Sequence, residues 1–236
     1  MNGAPKKTSP WVYVGIGCGV ALLLAVLAVA GVVVLAVRKG KQIEAEMKDP
    51  AAREAKVREV LGGDVPSGYH PVFSMSIPFL MDMAMLGDHP PDEKGGPNKQ
   101  MDRGFMYINS IAMGGKQDEL KKYFEGTIDD PEALRRANIQ IDVKETIRRG
   151  SVDIHGQETL YLAQRGTFAV NQTRSQGLTT LILVDCPQDA RQRLGFWFGP
   201  DPAPETAVES VDWSGSVADE AAMREFLGHF NLCRGK

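Results

Sequence analysis

The stretch from Trp11 to Val37, WVYVGIGCGVALLLAVLAVAGVVVLAV, carries no charged residue and sets the first constraint on this chain. The hydrocarbon core of a bilayer takes about 20 apolar residues in a helix. At about 1.5 Å of rise per residue the run reaches about 40 Å, enough to cross with some tilt. Competing readings explain it less well. A cleaved secretory signal has an apolar region of about 7–15 residues followed by small residues. Ala28-Val29-Ala30 has that form, yet apolar residues continue past it to Val37. A lipoprotein signal places its cysteine after the apolar run, whereas Cys18 lies inside it. The expectation is one transmembrane helix over 11–37, with a basic tail at 1–10, a charged juxtamembrane stalk and first helix at 38–63, and a globular domain at 64–236. The bilayer is then a partner through residues 11–37. Gly15 and Gly19 have the G-x-x-x-G spacing of paired membrane helices, a pattern also produced by the ordinary abundance of glycine there.

Orientation draws two arguments in opposite directions. Arg38, Lys39 and Lys41 after the run slightly outnumber Lys6 and Lys7 before it, which favours a cytoplasmic domain by the positive-inside rule. Long domains translocate largely regardless of charge, however. Two cysteines outside the run, Cys186 and Cys233, read as one disulfide of an oxidising compartment, or as two separate buried thiols. The first reading places the domain outside the cytoplasm, in the cell envelope.

All 30 acidic residues follow Val37 and the whole chain has a net charge of -3, with its basic residues scattered among the acids. No basic stripe for nucleic acid is present, so none is expected as a partner. The part after the run is long enough for one sizeable core.

Local patterns then give the order of elements. Asp49-Pro50 is a helix start, with Val57, Val60 and Leu61 at helical spacing and Gly62-Gly63 as the stop. His70 to Leu86 alternates like strands interrupted by Pro71 and Pro78. Residues 88–102 are a loop, and Arg103 to Met113 is a further strand. Leu120, Tyr123 and Phe124 share a helical face, and Asp130-Pro131 opens another short helix. From Val143 the chain is strand-rich: Thr146–Ile154 and Glu158–Val170 flank a His155-Gly156 turn, and Leu178–Cys186 and Leu194–Phe198 follow. Asp201–Glu205 reads as a proline-rich surface loop. Ser216 and Asp219 have capping-box spacing before the stripe Met223, Phe226, Leu227, Phe230. Consecutive strands with short turns predict an α+β fold: an antiparallel sheet of about six or seven strands with helices on its faces.

The segments PSGYHPVFSMSIP, GFMYINSIAMGGKQDELKKYF, VDIHGQETLYLAQRGTF and REFLGHFNLC together resemble the Mog1/PsbP-like domains. That resemblance implies an antiparallel sheet with helices on its faces. It implies little about function, because the fold serves several unrelated binding and assembly roles.

Candidate chemistry is sparse. Met81, Met83 and Met85 alternate, which in a strand puts three thioethers on one face about 7 Å apart. Thioethers are soft ligands suited to Cu(I), and His70 and His89 bracket the segment. The competing reading is a packed strand face. Asp88, His89, Asp92 and Glu93 crowd one loop without the EF-hand pattern. There is no C-x-x-C, G-x-S-x-G, P-loop or G-x-G-x-x-G, and no catalytic, cofactor or metal residue is assigned. Asn171-Gln172-Thr173 is a glycosylation sequon. The expected function is a membrane-anchored, extracytoplasmic binding or assembly module with a protein partner in the envelope. The alternatives are a Cu(I)-handling domain using the methionines, or an enzyme whose site joins residues distant in sequence.

Overall fold

The computed structural model describes residues 49–91, 101–111, 117–130, 132, 134, 141–170, 173–186, 189 and 191–233. The run Trp11–Val37 lies outside them, as do Asp92, Glu93 and Asn171. No helix among the described residues is long and apolar enough to cross a membrane. The unit described is Glu46–Lys236.

Its centre is one seven-stranded sheet: β1 (His70–Ile77), β2 (Met81–Gly87), β3 (Gly104–Ile111), β4 (Ile141–Ile154), β5 (Gln157–Val170), β6 (Thr173–Val184) and β7 (Arg191–Gly199). The spatial order is β1-β2-β3-β7-β6-β5-β4 and every neighbouring pair is antiparallel. Two meanders, β1–β3 and β4–β7, therefore meet at a single seam between β3 and β7. Among the described residues, three α-helices of eight residues or more accompany the sheet: α1 (Pro50–Leu61), α2 (Gln117–Phe124) and α3 (Glu220–Leu227). The fold class is thus α+β with an antiparallel sheet.

The local signals explain most element ends. Asp49 caps α1, its carboxylate accepting from the Ala51 N–H at 2.9 Å, and Pro50 takes the first helical position. Gly62 ends the helix with a φ of 68°. A Cβ there would meet the Asn231 carbonyl, so the glycine also lets the C-terminal segment approach. The Asn231 N–H then donates to the Leu61 carbonyl. His155 and Gly156, both with positive φ, make the two-residue turn between β4 and β5. Pro71 sits at a register shift in the edge strand β1, where a missing N–H costs least. At α3 the cap is Asp219, which accepts from the Ala221 N–H at 3.0 Å; the Ser216 hydroxyl instead donates to the Trp213 carbonyl one turn earlier. Ser216 and Asp219 therefore do not form a capping box: residues 216–219 make turns before the helix starts, and Asp219 is itself the N-cap.

Each face of the sheet has its own apolar layer. On the first face Leu86, Phe105, Tyr107, Tyr161, Ile182 and Trp197 pack under α1 and α3, with Phe226 of α3 at the centre. On the second, Leu160, Leu162, Leu181, Leu183 and Leu194 pack under α2 and Leu134. Both faces of β5, β6 and β7 are therefore covered, which accounts for apolar runs without a polar side.

The buried ions were not legible locally. Arg165 on β5 and Asp201 in the proline-rich loop both have side chains 3% exposed, with Nε 2.6 Å from Oδ2. The contact is ionic, its angle falling short of a hydrogen bond. Arg165 also donates to the carbonyls of Thr206 and Ala203 and reaches the half-exposed Glu145. Its guanidinium lies 5.4 Å from the centre of the Trp213 ring. This arginine staples the 201–206 loop to the sheet. Asp201→Asn is expected to lower stability by about 3–5 kcal/mol, since it leaves a buried cation without its closest anion. Glu145→Gln should cost less than about 1 kcal/mol because that carboxylate is half in water. Urea midpoints of the two variants check this, and a midpoint for Asp201→Asn equal to that of Glu145→Gln would refute it.

Candidate binding surface

The second sheet face is unevenly covered. Strand pairing puts Met75, Met83 and Ile108 in one row, and Phe73, Met85, Met106 and Phe196 in the next. Cross-strand partners share a face, so the alternation of Met81, Met83 and Met85 is extended by Met75 on one side and Met106 on the other. Helix α2 lies over the β5–β7 part of this face. Met85 is buried with Val72, Phe198 and Met101. Met75, Met81, Met83, Met106, Ile108 and Phe196 remain only half-buried. Beyond the reach of α2, the face is an apolar, methionine-bearing surface on β1–β3.

One end of this surface is the turn between β1 and β2. Among the described residues, the large hydrophobic side chains exposed to solvent are Ile77 (38%), Phe79 (87%), Leu80 (49%) and Ile111 (42%). They belong to one spot. The Leu80 N–H donates to the Ile77 carbonyl at 3.0 Å, closing the turn, and the Ile111 N–H donates to the Leu80 carbonyl at 3.1 Å, tying the end of β3 to it.

At the same end, on the opposite face, lies a polar row. Asp82, Asn109 and Arg193 are cross-strand neighbours. Arg191 reaches Asp82 at 3.4 Å. Arg193 is wholly buried and pairs with Asp189. The Asp189 carboxyl is pushed up by desolvation, but the hydrogen bonds from Arg193 and the Arg191 N–H outweigh this and hold it below the ordinary range. Among the described residues, Arg193 Nε and Nη1 and Asn109 Oδ1 have no hydrogen-bond partner of good geometry. Burial pushes the Tyr107 hydroxyl far above its ordinary pKa despite the nearby Arg193 cation. This phenol donates to the Leu232 carbonyl at 3.1 Å, so it is held as a neutral structural donor.

The other residues singled out from the sequence fall elsewhere. His89 is hydrogen-bonded to Asp88 at 3.1 Å, while His155 bonds the Gly228 carbonyl at 2.9 Å. Among the described residues no group of three or more His, Cys, Asp or Glu side chains could hold a metal. Cys186, just past β6, and Cys233, past α3, lie with Cα atoms 5.6 Å apart and their sulfurs at bonding distance. A shallow cleft beside them is lined by Ile154, His155, Thr159, Phe230 and Cys233.

Residue spacing led to the methionines of β2 but not to Met75 and Met106, which only the register adds. Phe79 carried a weak signal, a bulky residue directly after Pro78 in a turn. The fold and this surface define an antiparallel α+β domain with one sheet face only half-buried among the described residues. No protein-family model matches the chain, and no curated protein matches it.

Proposed function

We propose that this chain is a single-pass membrane protein, anchored through residues 11–37, whose α+β domain lies outside the cytoplasm and binds another protein of the cell envelope. The observation that carries the reading is the half-buried apolar face of β1–β3 beyond α2. An apolar patch of this kind marks an interaction site more often than chance surface. Methionine suits the role, since its unbranched thioether repacks against partners of different shape. The extracytoplasmic side is supported by the Cys186–Cys233 geometry, because such a bond persists in an oxidising compartment. Site-specific photocrosslinking in native membranes tests the binding role. A benzophenone amino acid at Met83 should yield a discrete protein adduct, and the same group at the exposed Lys144 of β4 should not. Equal labelling from both positions, or none from either, would sink the proposal.

A second reading is Cu(I) capture by the same face, favoured by the cross-strand placement of Met75 beside Met83 and of Met106 beside Met85.

A further inference from the structure

We propose that the Ile77–Leu80 turn is a membrane-inserting tip, which sets Phe79 and Leu80 into the bilayer that carries the chain. The inference deepens the reading above and rests on its anchor. Three observations carry it.

The first is the backbone. The Leu80 N–H to Ile77 carbonyl bond makes a four-residue turn with Pro78 second and Phe79 third. Phe79 has a φ of 67°. A turn with proline second and a positive φ third belongs to glycine or asparagine at that third place. Phenylalanine is among the residues least suited to it. A strained residue persists where something beyond local preference holds it there.

The second is exposure. The ring at this disfavoured position is 87% exposed and the next side chain 49% exposed, so neither recovers the strain by packing within the domain. With Ile77 and Ile111 they form one exposed apolar cluster. Among the described residues, the Asp82–Arg191 ion pair is set back by one residue row and mutually neutralised. At 87% exposure the Phe79 ring projects into solvent. Fluid acyl chains accommodate it without needing a complementary shape.

The third is the length of chain before the domain. Residues 38–49 separate the apolar run from α1 and span at most roughly 40 Å when extended. The domain is therefore held within reach of the bilayer, and a contact too weak to recruit a free protein gains from the high effective concentration. A few apolar side chains give only marginal membrane binding alone and need a second attachment. The anchor supplies it, so the tip fixes how the domain sits on the surface rather than whether it binds.

The test uses the full chain with Cys18→Ala in phosphatidylcholine–phosphatidylglycerol liposomes. Single Phe79→Cys, Glu205→Cys and Ala25→Cys variants carry an environment-sensitive fluorophore. Lipid-borne nitroxide should quench the labels at 79 and 25 but not the one at 205. A label at 79 quenched by aqueous iodide and not by nitroxide overturns the proposal. So does one shielded from both, which would assign the tip to a protein pocket or a second copy. Quenching at 25 separates the two levels. If 25 is quenched and 79 is not, the tip fails and the anchor stands; if 79 is quenched and 25 is not, the anchor fails.

Discussion

Phe226→Asp is expected to unfold the domain. The Phe226 ring stacks on Trp197 at 4.6 Å between centroids and meets Tyr69, Phe105 and Phe230 at 5.0, 5.2 and 5.3 Å. With Met223 and Leu227 it forms the buried side of α3 that packs on the first sheet face. Truncation to alanine should already cost about 3–5 kcal/mol from lost transfer energy and the cavity left behind. A carboxylate there adds the penalty of a buried polar group without a partner, several kcal/mol more. The sum approaches or exceeds the ~5–15 kcal/mol stability of a typical domain. Circular dichroism should show loss of the cooperative melt for Phe226→Asp and a lowered but cooperative one for Phe226→Ala. An unchanged melt for the aspartate variant would mean that α3 is not docked on the sheet.

Reduction of Cys186–Cys233 should also lower stability strongly. The 47-residue sequence separation corresponds, on the chain-entropy model, to about 4 kcal/mol of stabilisation. The Cα distance of 5.6 Å falls within the range native bridges adopt, so no backbone movement is needed to form it. The bond would tie the end of β6 to the segment beyond α3, whose Asn231 and Leu232 already contact α1 and Tyr107. Opening it should therefore free the C-terminal turn first, then loosen α3. Melting with and without a phosphine reductant measures the effect. Peptide mapping under non-reducing conditions should recover the cross-linked pair. Alkylation of both thiols without prior reduction would remove the bond and, with it, the main support for an extracytoplasmic domain.

How much of this was legible in the sequence depends on the range of the interaction involved. The Asp49 cap, the Gly62 stop, the His155-Gly156 turn and the α3 stripe depend on residues a few positions apart, and each is readable in its own window. Arg165 and Asp201 depend on a loop folding back over a strand. The DPAPE segment has the composition of a surface loop and gives no sign that its first residue is a buried anion. Strand alternation offered one clue: Tyr161, Ala163 and Arg165 share a face, so the arginine had to point inward if the tyrosine did. The binding surface was half legible. The alternation of Met81, Met83 and Met85 is a local pattern, whereas Met75 and Met106 join them only through register. Whether a helix covers such a face is a tertiary fact. The strained backbone at Phe79 runs against local preference and so could not be foreseen from it.

The seam between β3 and β7 has a consequence for how the chain must fold as it is made. Gly104 pairs with Phe198 and Ile111 with Arg191, so β3 finds its partner only after all of β4, β5 and β6 have emerged. At synthesis rates of about 5–20 residues per second, the inner edge of β3 waits several seconds with its N–H and C=O groups open. An open strand edge templates association with other chains. The last strand to leave the ribosome is thus the keystone of the sheet. Translation slowed ahead of residue 191 would prolong the interval in which that edge stays open.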